Sequence, residues 1–225
     1  MKRNYLVLIV FGAAVALFIA GAVTADVLMT SRIASRIEQQ FPKASGISAS
    51  IPFLDVPQNL ISDSVRAADI NIERYSLKGS DAESALAITA ANISKSQPTL
   101  VGSLDITATI PASTITKNSG LENAQIVGNA LQVSVGNSGL GKALLIPKFA
   151  NNQIFFQLQS VSIFGSQIPA SSLPADIQSQ IAKKSVRNLE IPRGLKLKSV
   201  VLNSKGLSIN FRGNNIKLDK LGKSL

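Results

Sequence analysis

From Gly46 onward, short runs in which apolar and polar residues alternate dominate the chain, and this period of two restricts the fold more than any other feature. "GISASI" alternates Ile47, Ala49 and Ile51, and "DINIERYSLKG" places Ile70, Ile72, Tyr75 and Leu77 in the same manner. "SALAITAANI", "LVGSLDITATI", "NALQVSVG", "NQIFFQLQSVSIFG", "LKLKSVVLNS" and "GLSINFRG" follow suit. Successive side chains on a strand point to opposite faces, so each run predicts a strand with one face in a core. Turn residues separate the runs at Gly79-Ser80, 136–139, Asn151-Asn152 and 203–206. The clearest hairpin is "VVLNSKGLSINF". Two short helices are expected at 111–118 and 174–185, each with Pro where a first helical position tolerates it. These residues together predict an antiparallel α+β domain of about eight strands and few helices.

Two stretches break the alternation. In "DVLMTSRIASRIEQQFP" (26–42), Ile33, Ile37 and Phe41 recur at helical spacing and Pro42 ends the pattern. An amphipathic helix is expected there, packed on the domain or lying on a membrane. In "SIPFLDVPQNLISDS" (50–64), six apolar residues are interrupted by Pro52 and Pro57. A core strand would avoid two prolines. The stretch fits either a buried crossover or the lip of an apolar cavity.

The inventory excludes much chemistry. There is no Cys, His or Trp among the 225 residues. Thiol nucleophiles, disulfides, histidine triads and imidazole metal sites are therefore impossible. General acid–base work would fall to thirteen carboxylates spread singly along the chain. The nearest sets are Asp81/Glu83, in a turn, and Asp69/Glu73, flanking a strand. No nucleophile elbow, P-loop or dinucleotide fingerprint is present. Neither an enzyme activity, a cofactor nor a metal is expected. A glycan hydrolase would need two carboxylates about 5–10 Å apart, and no local pair points to one.

Charge is placed unevenly. Residues 1–180 carry a net +1, whereas residues 181–225 carry eleven basic against two acidic side chains, net +9. Such a block points to an anionic partner, either lipid head groups or nucleic acid. The N-terminus favours lipid. Lys2 and Arg3 precede a run without charge from Asn4 to Ala25, long enough to span a bilayer core of about 30 Å. It ends at Val23 and Ala25 with small residues resembling a signal-peptidase site. Residues 1–25 are thus expected to be a membrane anchor or signal peptide, with 26–225 exported. Aromatic residues that could stack bases are nearly absent from the basic region, which holds Phe211 alone. Nucleic acid is not expected as a partner.

Within the basic region, Lys196 and Lys198 share one strand face, with Leu195 and Leu197 on the other. Arg212 and Lys217 are placed to join them from a neighbouring strand. The face is either solvated or turned to anionic lipid, at about 1 kcal/mol per basic residue near such a surface. Phe residues cluster elsewhere, at Phe149, Phe155, Phe156 and Phe164. Because Phe155 and Phe156 are adjacent, they point to opposite faces, so their strand is apolar on both sides.

Three segments together, 46–62, 67–79 and 189–218, resemble the actinobacterial family named for lipomannan elongation factor A. Gly46, Pro52, Phe53 and Leu54 match its first motif, and Pro192, Gly194, Leu195 and Leu197 its second. Residues 80–185 match only in strand pattern. The resemblance implies a cell-envelope or periplasmic lipid-binding domain that recognises phospholipid and supports lipoglycan assembly. It also implies a tubular fold, a strongly curved antiparallel sheet wrapped on a long helix. The expectation is a non-enzymatic binder of anionic phospholipid at the outer face of the cytoplasmic membrane, with envelope-assembly proteins as further partners. Phe53, Leu54, Leu60, Ile61, Phe149 and Phe156 would line an apolar groove for acyl chains. Arg193, Lys196, Lys198 and Arg212 would face head groups. The alternative is a scaffolding domain that binds an envelope protein or an anionic wall polymer.

Overall fold

The structure is a computed structural model that describes residues 44–51, 62–76, 83–96, 98–118, 124–135, 141–175, 179, 186–189, 191 and 194–217. Strands make up 75% of these and helix 8%. The alternating runs become β1 (Ala44–Ser50), β2 (Ser64–Ser76), β3 (Glu83–Ser94) and β4 (Leu100–Pro111). After the short helix α1 (Ala112–Asn118) come β5 (Gln125–Val127), β6 (Ala130–Val135), β7 (Gly141–Ala150) and β8 (Gln153–Ile163). The order closes with β9 (Ser166–Pro169), β10 (Arg187–Asn188), β11 (Leu195–Asn203) and β12 (Gly206–Lys217). Two antiparallel sheets result. One has the order β1-β2-β3-β4-β12-β11, and the other β10-β8-β7-β6-β5 with β9 also paired to β8.

This corrects the expected architecture. The described residues are nearly all β, in two antiparallel sheets, and not the expected α+β domain with a curved sheet wrapped on a long helix: α1 has only seven residues. The second sheet is built between Gln125 and Asn188, nearly all of it within residues 80–185, which the resemblance matched only in strand pattern. The helix expected over 26–42 lies outside the described residues, as does most of the one expected over 174–185.

By chain contacts the described residues form two compact units. One comprises residues 109–189 and 200–208, the other the residues up to 108 together with 190–199 and 209 onward. In the second unit, Leu104, Ile106 and Ala108 on β4 are at most 1% exposed, and Ile70, Ile72, Leu86, Ile88, Ile209 and Phe211 are also buried. Each of the larger side chains among these contributes about 1.5–3 kcal/mol by leaving water. The alternate positions are polar. Asn210 donates to Thr107 Oγ1 at 2.9 Å, and the Arg212 Nε–H donates to Asp105 at 2.9 Å.

In the first unit, the buried apolar residues include Leu131, Val133, Ala143, Leu145, Ile154 and Leu158. Here β7 was not legible as a strand. "ALLIPKF" is apolar on both faces, so it lacks alternation, and Pro147 cannot donate to a ladder. The register shows how Pro147 is accommodated. β6 pairs β7 only over Gly141–Leu145, while Pro147 faces Phe156 on β8. Its missing N–H falls on the side that β6 does not reach.

The β11–β12 hairpin closes through Asn203, whose Oδ1 accepts the Lys205 N–H at 2.9 Å. Gly206 follows at φ +136°, and a Cβ there would lie 1.9 Å from the Ile110 carbonyl oxygen. Backbone cannot yield to a methyl group at that distance, so Gly206→Ala is expected to lower unfolding free energy by about 3 kcal/mol or more, measurable by urea titration.

Tyr75 gives a pH-dependent expectation. Burial pushes its phenol above the ordinary value. The folded chain therefore holds this proton more tightly than the unfolded chain, which releases it near pH 10. Stability from this group is complete below that pH and is lost as pH rises toward the folded value. Thermal melts across alkaline pH should show a shallower decline for Tyr75→Phe than for the parent chain.

Candidate functional site

The basic strands of the C-terminal region are positioned by turns at each end. Gly194, at φ +87°, turns the chain into β11, a left-handed conformation that suits glycine. Asn203 caps the other end through its bond to Lys205. Between them Leu195 is buried while Lys196 and Lys198 are exposed, as alternation requires. Ser199 is exposed too, and Leu202, of the same parity as the lysines, is buried, so the alternation shifts within the strand. Among the described strands β11 ends its sheet, so these lysines sit on an outer strand of that set. Residues 194–217 carry Lys196, Lys198, Lys205, Arg212 and Lys217 and no carboxylate. All five are exposed.

Arg212 stands apart from the lysines. Its Nε–H is shared between the two Asp105 oxygens at 2.9 and 3.0 Å. That hydrogen bond, and then the carboxylate's charge, hold the guanidinium above its ordinary pKa. Half of the Arg212 side chain stays in water, so the pair is screened and contributes little to stability. Its effect is on charge: Asp105 offsets one of the five cations where it stands. Sequence spacing could not show this pairing, because the two residues are 107 positions apart.

The expected groove residues divide. Phe53, Leu54, Leu60 and Ile61 lie outside the described residues, as does Arg193. Phe149 and Phe156 are brought onto one face of the β7–β8 hairpin, because Phe149 faces Ile154 and Phe156 faces Pro147. Both are half-buried. Phe155 takes the opposite face, paired with Lys148. Phe149 and Phe156 belong to the first unit, and Lys196, Lys198 and Arg212 to the second. Phe164 leaves the aromatic cluster altogether and occupies the turn between β8 and β9. "IFGS" carries the two-residue spacing of a hairpin turn, but without the Asn-Gly pair that marks one in a sequence.

Two carboxylates among the described residues each hold one partner. Asp69 accepts the Thr89 hydroxyl at 2.7 Å, and Asp105 holds Arg212. Among the described residues, no group of three or more acidic side chains gathers where a metal could sit. Nor is any described helix long and apolar enough to cross a membrane. What the arrangement offers chemically is an exposed set of cations.

Comparison with known proteins adds no relative. No family model matches the chain, and neither a curated protein nor a solved structure matches it.

Asp105 gives the pair a direct test. Asp105→Asn removes the charge that offsets Arg212 without altering side-chain size. Because the Arg212 side chain is half in water, the substitution should change the unfolding free energy by less than about 1 kcal/mol in a urea titration, while raising the net charge by one.

Proposed function

We propose that this chain is a non-enzymatic binder of anionic phospholipid, held at the outer face of the cytoplasmic membrane, where it supports envelope lipid and lipoglycan assembly. The observation that carries the reading is the exposure of Lys196 and Lys198 on the outermost described strand of a sheet, within a stretch that has five cations and no carboxylate. A bilayer surface or a phospholipid head group answers that charge at about 1 kcal/mol per basic residue. Two sequence features support the same reading. The uncharged run from Asn4 to Ala25 suits an anchor or export signal, and the proline-broken stretch at 50–64 suits an apolar groove lip bordered by Phe53, Leu54, Leu60 and Ile61. The family resemblance in the flanking motifs points the same way.

Lysines on an outer strand also discourage a second sheet from adding to it. A charge reversal separates the two roles, since glutamate discourages strand addition as well as lysine does. Full-length Lys196→Glu/Lys198→Glu protein should fold normally and remain monodisperse. Its preference for phosphatidylglycerol over phosphatidylcholine, read from the phospholipid that co-purifies in mild detergent, should fall by about tenfold or more. An unchanged preference would remove the lysines from the binding surface. A parent chain that carries no phospholipid, even after incubation with anionic vesicles, would shift the assignment to a scaffold for an envelope protein or wall polymer.

A further inference from the structure

Two hairpins in the first unit use the same kind of turn, with unlike residues. Between β7 and β8 the two turn residues are Asn151 and Asn152, at φ +51° and +56°. Between β8 and β9 they are Phe164 and Gly165, at φ +50° and +83°. Positive φ at both positions is what a tight hairpin with native strand twist requires. Asn adopts it readily because its short polar side chain bonds to nearby backbone. Phe does not, since its Cβ crowds the following carbonyl and nothing in the side chain compensates.

Packing does not repay that strain. Phe164 is 79% exposed, the highest of any large apolar side chain described, and Ile163 beside it is 43% exposed. A strained backbone position that carries an unburied aromatic ring is a candidate for contact with something outside the chain.

The surroundings say what kind of partner it meets. The six strands β5 to β10 contain no Asp or Glu, and the cations among their residues include Lys142 and Lys148, both exposed. Lys142 faces Ser162 across the β7–β8 ladder, next to the Gly141–Ile163 pair that ends it. The tip therefore has two adjacent apolar side chains, a cation one register position behind them, and no carboxylate on the strands that carry them. A ring that enters the acyl boundary while a lysine stem reaches back to phosphate has this composition. An acidic protein surface would answer the lysine but not the two exposed apolar groups.

We propose that the Ile163–Phe164 hairpin tip inserts into the interface of an anionic phospholipid bilayer and orients this unit on the membrane. The inference rests on the reading of the chain as a phospholipid binder. It assigns the bilayer contact to a place distinct from the lysine-bearing strand β11.

The chain has no tryptophan, so one introduced at the tip reports without background. Full-length Phe164→Trp protein is added from dilute detergent to vesicles of phosphatidylcholine mixed with phosphatidylglycerol. Val127→Trp serves as the comparison, because Val127 is also exposed, at 49%, but belongs to the β5–β6 hairpin. The expected result is a blue shift and strong quenching by bromine-labelled acyl chains at position 164, several-fold greater than at 127, and weaker on phosphatidylcholine alone. Emission at 164 that stays water-like on vesicles carrying the protein would overturn the proposal. So would equal quenching at both positions, or a shift that follows protein concentration without vesicles, which would mark contact with a second copy.

A second measurement guards against a purely structural role. Phe164→Asn should leave the melting temperature unchanged or raise it, since Asn suits the turn. A clear drop would show that the ring is needed for folding and would sink the assignment. Lipid that co-purifies while position 164 stays in water ends the tip proposal and leaves the phospholipid-binding reading standing. Tip insertion by a chain that co-purifies no lipid supports the tip and removes the ligand-binding reading.

Discussion

The structure depends on strand register. With no disulfide to fix it and 75% of the described residues in strands, every core contact exists only if each ladder is aligned to within one residue. A slip of one position would turn Leu104, Ile106 and Ala108 toward water and bring Asp105 and Thr107 inward. The polar alternates resist that slip. Asp105 with Arg212 and Thr107 with Asn210 connect β4 to β12 at successive same-face positions, and each pair is satisfied only in the native alignment. Apolar burial supplies the driving force, and these side chains help specify which of several similar alignments it selects.

That division explains what could be read from the sequence. Period-two runs such as "LVGSLDITATI" and "GLSINFRG" announce their strands because one face is apolar and the other is not. The "LNSKGL" turn announces its hairpin because Asn203 and Gly206 have chemistry suited to it. β7 was hidden because Ala143, Leu144, Leu145 and Ile146 are apolar in succession, and because Pro147 is tolerated for a reason visible only once β6 is seen to stop short. β5, β9 and β10, with two to four residues each, are too short to show any period. The long helix came from motifs at the two ends of the chain. Those motifs said nothing of the middle, where the second sheet arose.

The candidate site was legible in part. The exposed lysines of β11 follow from alternation alone. The neutralising partner of Arg212 does not, since pairing between distant strands leaves no trace in local spacing. Phe164 was visible as an aromatic residue, but its position in a strained turn depends on β9, a four-residue strand. The two candidate surfaces also differ in kind. β11 presents cations on an ordered strand, whereas the β8–β9 tip presents apolar groups with a cation behind them. On the proposed reading, the charged strand would select an anionic membrane and the apolar tip would set the depth and angle of contact.

The strand order carries a consequence for the chain as it is made. β4 lies between β3 and β12, so one of its edges pairs with its immediate predecessor and the other with the last strand described. Thr107 waits for Asn210, 103 residues further on. At ordinary rates of synthesis, about 5–20 residues per second, that edge stays open for several seconds while the entire second sheet emerges. The N-terminal strands cannot complete their sheet on their own, and any chain that stops before Gly206 leaves β4 with half of its backbone partners missing. The last fifth of the sequence, the part richest in positive charge, is therefore also the part that finishes the sheet begun by the first strands.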